Sequence, residues 1–570
     1  MNTRFIVVLA YGSVSLASMQ TCPATAADWT EVGTPTRPSW VAAAAERRLR
    51  LLPALPAAKN TMQSQVAGAF GSKGPGMTVG LVLDDGLFFS QGFGFRDEAK
   101  QHKPDELTVY RVGSLTKVVT AATFLTLVDS NTIALDDLAT KYVPELGYIK
   151  QPGCTNPPCN VAVKLKHLST HTSGLPNQMN PPEADEALWL TELQGTRLAF
   201  APGSFAAYSG VGVEMEGLII KRVSNKNFDT YMKDHLLTPL GMVNTHLHHN
   251  NVPANLLAQK YVATSPTSFT IDKNWDNPQM LIPAGNLFTN ILDFSRFLQM
   301  EITGNAPPNV LKKTTITESQ SVVIQATGQT PGPNCGGFNE NGVLFSNCQS
   351  AASFGLGWGL NGQFVEHNGS FGSEWSSQTR LQTKKGMGAT GFVSSDPSPA
   401  NPAAFISNVV NGLLNAGLAG DNATSWTGKA LSIGVARVLY LSGKSLQMSD
   451  LGAFTPQFVS AHQLNQTNVV AFLKAWQDKH GHCSTFRVRD VESANKITVR
   501  FHCEKSDFAT VLDVQGSPVK IAWVDDTADA PGNCQANCNI QEGNCMKQAH
   551  SAPERQQCIH EKQQCVAACQ

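Results

Sequence analysis

The sequence predicts an α+β fold in which an antiparallel sheet is assembled from both ends of a long domain, with helices between and around its strands. Two stretches carry this expectation. "MTVGLVLDDGLFFSQGFGF" (77–95) sets apolar runs on either side of Asp85-Gly86, the dipeptide that best marks a two-residue hairpin. Strand-like text returns at "FGLGWGLNGQFVEHNGSFG" (354–372), after a long mixed region. Strands at both ends with helices between them make an α+β domain rather than an alternating α/β one.

The elements follow in order. "RVGSLTKVVT" (111–120) opens an apolar helix at Ser114, and "PAAFISNVVNGLLNAGL" (402–418) is a helix that closes the domain near residue 418. From about Thr427 the text changes. "SAHQLNQTNVVAFLKAWQDKHG" has an amphipathic helical period, and "TFRVRDV", "KITVRFHC" and "ATVLDVQG" follow it as strands, which predicts a small α+β module over 427–530. Residues 531–570 hold the last six cysteines. A chain of 570 residues exceeds what one core can organise, so several domains are expected.

Composition excludes some functions. With 42% hydrophobic residues and 15% charged ones the chain is globular, and a formal net charge of -1 supplies no field to attract nucleic acid. The N-terminus carries Arg4, an apolar run from Phe5 to Ala17 and a small-residue "ATA" at Ala24–Ala26. That order predicts a cleaved export signal over residues 1–26, with a mature domain over 28–418 and no integral membrane segment after cleavage. Location is therefore expected to be periplasmic or secreted.

Cys22 falls inside the predicted signal, which leaves twelve of the thirteen cysteines for an oxidising compartment. Cys154 with Cys159, Cys335 with Cys348 and Cys483 with Cys503 each enclose a short loop and are natural local pairs. The last six are separated by 4, 7, 13, 7 and 4 residues, a mirror-image spacing. Steps of four and seven keep to one helical face, so two antiparallel helices would pair Cys534 with Cys569, Cys538 with Cys565 and Cys545 with Cys558. Zinc is the rival for these thiols, but no C-x2-C spacing is present, and a disulfide-stapled hairpin is expected.

Ser114 is the first candidate for chemistry. A serine at a helix start caps unsatisfied amides, but a capping box wants Glu or Gln three residues later, and residue 117 is Lys. A cation in the first turn opposes the helix dipole at a cost of about 0.3–1 kcal/mol, so stability does not account for it. Catalysis does. A lysine crowded by the positive end of a helix and by Leu115, Val118 and Val119 can take a proton from serine, and the helix-start amides offer an oxyanion site. The same Ser-x-x-Lys spacing at Ser493 and Lys496, and at Ser517 and Lys520, lies in turn-like text.

The surrounding text, "YRVGSLTKVVTAATFLTLVDSNTIALDDLATKYVPEL", resembles the serine β-lactamase and penicillin-binding-protein superfamily, in its branch of class C β-lactamases, D-alanyl-D-alanine carboxypeptidases and family VIII esterases. "VKLKHLSTHTSGLP", "APGSFAAYSGVGVEMEGLIIKRVS", "LIPAGNLFTNILDFSRFLQ" and "FGLGWGL" with "EHNGSFG" are similar to further motifs of that branch, in its order, over roughly residues 60–415. The resemblance implies a β-lactamase-like sheet with flanking helices and an all-helical subdomain. It implies that Ser114 is the acylated nucleophile, Lys117 its proton-transfer partner and Tyr208 the motif tyrosine. His367 stands where many relatives carry a lysine, and Ser370, after Gly369, would supply the second oxyanion amide. No metal or organic cofactor is implied.

One position departs from the pattern. Relatives that read a peptide or β-lactam side chain usually carry Asn two residues after the tyrosine, whereas this chain has Gly210. An unmade hydrogen bond to a buried substrate group costs about 1–3 kcal/mol, which leans the expectation toward an esterase-like or unusual D-peptidase-like hydrolase. Its partner would be a small-molecule ester, amide or D-peptide. The alternatives are a penicillin-binding D-alanyl-D-alanine carboxypeptidase or β-lactamase, and a non-catalytic binding or scaffold protein on a hydrolase fold. The C-terminal modules offer a means of cell-wall association.

Other residues carry weaker signals. His246, His248 and His249 in "HLHHN" read as a surface stretch before a metal site. His167 and His171 read as satisfied buried histidines. "GFGF" (92–95) lacks the third glycine of a dinucleotide loop, and the G-x-S-x-G and H-E-x-x-H motifs are absent. Asn422 and Asn465 are glycosylation acceptors only in a eukaryotic secretory setting.

Overall fold

The computed structural model describes most of residues 43–421 and 463–521, apart from short internal segments of which 326–334 and 396–403 are the longest. The predicted signal and the Cys-rich hairpin lie outside the described residues. Cys154 and Cys159, expected to form a local disulfide, lie outside them as well. The chain divides into two compact units, one of Gln65–Gly86 with Gly92–Leu414, the other of the segments up to Ser64, Leu87–Gln91 and from Asn415 onward.

In the first unit the sheet is built around strand β1 (Met77–Leu83); the Asp84-Asp85 turn leads from it to β2 (Gly86–Phe93), whose middle belongs to the second unit. β1 is buried along its whole length, which is why its text is a continuous apolar run rather than an alternation. The chain's return supplies β3 (Phe364–Phe371), β4 (Trp375–Gln382) and β5 (Met387–Val393). β5 lies antiparallel to β1, Met77 opposite Val393 and Leu83 opposite Met387, and the order continues β5-β4-β3 outward to Gly359–Asn361, Ser353–Phe354 and Ile324–Gln325. The sheet is thus assembled from both ends of the domain.

Helices precede and follow its strands in the chain: α1 (Ala43–Leu51) and α2 (Leu55–Phe70) come before β1, and α3 (Thr116–Asp129), α4 (Gly210–Ser224), α5 (Ile291–Thr303) and α6 (Ala404–Asp421) after it. Two glycines of β5 let helices press onto the sheet. A Cβ at Gly391 would meet Ile406 and Val410 of α6 at 2.9 Å, and one at Gly388 would lie 3.3 Å from Ile302 of α5. Capping sets the helix starts: Ser209 Oγ accepts the Gly212 amide at 2.9 Å, and Asn290 Oδ1 accepts the Asp293 amide at 2.8 Å.

One predicted boundary shifts. Ser114 does not cap a helix: it sits in a 3-10 turn, Gly113–Leu115, and α3 begins at Thr116, whose hydroxyl donates to the Gly113 carbonyl at 2.6 Å. The tighter turn holds Ser114 ahead of the helix axis, half-buried, while residues 116–127 are buried.

The second unit contains α7 (Val469–His480), β6 (Cys483–Val491), β7 (Lys496–Cys503) and β8 (Phe508–Gln515), the helix and three strands read from the sequence. β6, β7 and β8 are antiparallel neighbours. Cys483 lies opposite Cys503 in the ladder, and the two are joined as a disulfide. Cys335 is disulfide-bonded too, but Cys348 is outside the described residues. The composition did not anticipate that Leu87–Gln91 belongs to this unit. β6 pairs parallel with it, Val488 opposite Phe89, and the buried Arg48 guanidinium donates to the carbonyls of Leu87 at 3.1 Å and Phe486 at 2.5 Å.

Among the described residues no helix is long and apolar enough to cross a membrane.

Candidate active site

Ser114 is delivered by the 3-10 turn and fixed by strands β3 and β4. Gly113 has φ +52°, a conformation that favours glycine, and a Cβ there would lie 2.5 Å from the Ser370 carbonyl oxygen and 2.9 Å from its nitrogen. Gly369 is packed as tightly from the other side, since its Cβ would meet the Val112 oxygen at 2.1 Å and the Leu115 nitrogen at 2.9 Å. Ser377 Oγ ties the two together by donating to the Val112 carbonyl at 2.7 Å. The backbone of Ser370 therefore runs directly beside the turn that carries Ser114.

Lys117 lies in the first turn of α3, 4% exposed. Its Nζ donates to Ser114 Oγ at 3.1 Å and to the Ala284 carbonyl at 2.7 Å, and sits 4.9 Å from the centre of the Tyr208 ring. The Ala284 carbonyl comes from the short helix Ile282–Gly285, which Thr120 Oγ1 also grips by donating to Pro283 O at 2.7 Å. Buried amines need acceptors, and this one has two of fixed geometry.

Tyr208 precedes α4 and packs beside two histidines whose rings are tilted to its own. Its ring centre is 4.5 Å from that of His171 and 6.0 Å from that of His367. His171 also holds the backbone on both sides of the tyrosine: its carbonyl accepts the Ala207 amide at 2.8 Å and its Nδ1 accepts the Ser209 amide at 3.2 Å. An acceptor Nδ1 requires a neutral ring, and burial, then the positive charge of Lys117, holds the His171 pKa well below the usual range. His171 is a satisfied buried histidine, as read from the sequence. Its grip on the tyrosine segment was not legible, because the contacts join residues far apart in the chain.

His367 faces inward from β3. Burial, with Lys117 second, lowers its pKa to about 4, so it is neutral at ordinary pH. Its Nδ1 donates to the Asn368 carbonyl at 2.5 Å, which leaves Nε2 as an acceptor. Gly210, the first residue of α4, gives its amide to the Asn177 carbonyl at 3.0 Å. Ser114, Lys117, Tyr208, His367, Gly369 and Ser370 thus come together from the 3-10 turn and α3, the segment before α4, and β3. Such a cluster can move a proton between serine, amine and phenol while backbone amides face a developing oxyanion.

The other candidates lie elsewhere. His248 Nε2 pairs with Asp229 at 2.9 Å, and His249 stacks on Trp275 at 4.8 Å. Ser493 and Lys496 are joined through their backbones in the turn between β6 and β7, and Ser517 lies outside the described residues.

A mixed α+β unit with serine, lysine and tyrosine gathered at a helix start defines a β-lactamase-like protein. The beta-lactamase family model matches residues 59–405, more than half of the chain, and the chain belongs to that family. It is 27% identical over 259 residues to Beta-lactamase-like protein 2 of Dictyostelium discoideum, covering 43% of this chain and 45% of that one. It is 25% identical over 249 residues to Protein flp of Staphylococcus aureus strain MW2, covering 42% and 47%. The matches span about half the length of these curated relatives. The octameric penicillin-binding protein homologue from Pyrococcus abyssi aligns with 81% of this chain and 91% of its own at TM-score 0.48 and 18% identity.

Proposed function

We propose that this protein is an exported serine hydrolase that forms an acyl-enzyme on Ser114, with esterase-like or D-peptidase-like activity. The observation that carries the reading is the contact of Lys117 Nζ with Ser114 Oγ at 3.1 Å, under the Tyr208 ring. In the proposed cycle Lys117, with Tyr208, takes the serine proton, and Oγ attacks the substrate carbonyl carbon. The amides of Ser114 and Ser370 stabilise the oxyanion. The proton passes to the leaving group, and water, deprotonated by the same residues, releases the acyl group as a carboxylic acid. His367, uncharged, accepts a substrate hydrogen bond through Nε2 without adding a positive charge beside Lys117. Export is supported by the basic, apolar and small-residue order of residues 1–26.

The test is Ser114→Ala. Loss of covalent labelling by an acylating probe and of ester hydrolysis is expected; wild-type labelling and turnover by Ser114→Ala would refute the assignment. Stable acylation by a fluorescent penicillin with release of D-alanine from a model peptide would favour the D-peptidase. Ester turnover without penicillin labelling would favour the esterase, to which Gly210 leans.

A further inference from the structure

Two backbone segments supply the oxyanion amides of the proposed cycle, the turn at Ser114 and the end of β3 at Ser370, and both donors must reach one oxygen. Arg111 precedes that turn, pairs with Phe288 in the short ladder of Tyr110–Arg111 with Phe288–Thr289, and is 2% exposed. Its guanidinium carbon lies over the Phe371 ring, 3.1 Å from the centre, and 5.9 Å from the centre of Phe288. We propose that Arg111 is a positioning residue: packed on Phe371, the residue after Ser370, it fixes the Ser370 amide relative to the Ser114 amide so that both meet the oxyanion. This role rests on the serine-hydrolase reading above and adds the brace that aligns its two donors.

The end of β3 needs such a brace. Ser370 and Phe371 are half-buried, and at Gly372, φ +56°, the chain leaves the strand for the turn to β4. A strand end beside a turn opens readily unless side chains tie it down. Phe371 is paired with Trp375 of β4, and the Arg111 segment already meets β3 through backbone, Gly113 against Ser370 and Gly369 against Val112. Arg111 and Phe371 join the same two segments a second time, through side chains. Neither segment can then slide along the other without breaking that contact.

The same ring reaches the support of Lys117. A Cβ on Gly285 would lie 3.8 Å from Phe371 Cδ2, an ordinary packing distance, and Gly285 follows Ala284, whose carbonyl takes the Lys117 amine. Arginine suits the position for a physical reason. At 3.1 Å only a guanidinium lying flat on the ring avoids collision, and the planar group loses less hydration on burial than the ammonium of a lysine. Its charge does not titrate at working pH, so the brace acts on geometry and leaves the proton transfers of Lys117 and Tyr208 unchanged.

Arg111→Lys keeps the charge and loses the flat contact, Phe371→Leu removes the ring, and Phe371→Tyr keeps it; the half-buried Phe371 site serves should Arg111→Lys not fold. Full-length wild type and variants are compared on para-nitrophenyl butyrate and on its thiono analogue, whose sulfur is a larger and weaker acceptor. An aligned oxyanion site prefers the oxygen ester, and a misaligned one loses that preference. In Arg111→Lys and Phe371→Leu, kcat for the oxygen ester is expected to fall roughly tenfold at unchanged KM, with the oxygen-to-sulfur ratio falling too and the pH limbs of kcat in place. Phe371→Tyr should recover most of the loss. Equal losses on both esters, or a loss confined to KM or to the urea midpoint, make the contact one of packing and overturn the role. Wild-type kcat and ratio in the variants overturn it as well and leave the hydrolase reading standing. Absence of Ser114 labelling by an acylating probe and of turnover of either ester in the wild type overturns both.

Discussion

Lys117 illustrates how a residue that is wrong for stability finds its reason in the site. At the positive end of α3 it costs helix stability, yet its amine is placed on Ser114 Oγ and Ala284 O, atoms that only the fold brings within reach. His171 makes the same point through strain. Its φ is +56°, a left-handed conformation uncommon outside glycine and asparagine, and that turn directs both its carbonyl and its ring to the Tyr208 segment. His171→Phe keeps an aromatic ring beside Tyr208 but orphans the buried Ser209 amide, so a loss of about 1–3 kcal/mol in urea unfolding and a lower kcat are expected. His171→Asn should recover much of both, because asparagine tolerates the backbone and its Oδ1 can accept where Nδ1 does. Damage by His171→Asn with little or none by His171→Phe would show that the ring contact matters and the acceptor does not.

At the scale of elements, α4 carries two buried carboxyls that the mechanism does not use. Glu214 accepts from Trp189 Nε1 at 2.7 Å and Glu216 from the Ser169 hydroxyl, and burial pushes both pKa values from 4.5 up to about 8. The unfolded chain releases these protons near 4.5 and the folded chain only near 8, so between those values the folded state binds more protons. Their contribution is fully present below the lower value and is lost as pH rises, with a slope of about 1.4 kcal/mol per pH unit for each group. The urea midpoint should therefore fall between about pH 7 and pH 8, above the range in which the buried His171 and His367 oppose the effect, and Glu216→Gln should make that slope shallower. A midpoint that rises over this interval would contradict the assignment. The interlock of β3 with the Ser114 turn makes a second demand: Gly369→Ala inserts a methyl 2.1 Å from the Val112 carbonyl oxygen. Displacing the nucleophile by about 1 Å costs roughly 100-fold in kcat, measurable with an ester substrate in a variant whose circular dichroism is unchanged.

For the molecule as a whole, sequence neighbours are a poor guide to structural partners. The second unit combines an N-terminal helix, a piece of β2 and the C-terminal strands, joined by Arg48 and by the pairing of Val488 with Phe89. A chain ending at residue 418 would therefore leave Phe88, Phe89 and the Leu87 carbonyl without the partners β6 provides, and more dye binding to exposed apolar surface is expected of it than of the full chain. Within the same unit the Cys483–Cys503 bond closes a loop with a sequence separation of 20. Replacing both cysteines by alanine should cost this unit about 3 kcal/mol, read from denaturant unfolding of the full chain. Unfolding unaffected by the double substitution would mean that the β6–β7 ladder alone holds the hairpin.

Sequence by itself determined what local chemistry dictates. Apolar runs around Asp85-Gly86 made β1 and β2, helical periodicity made α6 and α7, and the misfit of Lys117 in a first turn marked Ser114 as more than a cap. The boundary of α3 escaped by two residues, because Thr116 and not Ser114 bonds back to Gly113. Tertiary structure alone decided which carbonyl holds Lys117, that Asn177 takes the Gly210 amide, and that His171 flanks the tyrosine. Those contacts join residues 33 to 167 positions apart, and no local pattern encodes a hydrogen bond whose partners meet only when the sheet and helices pack.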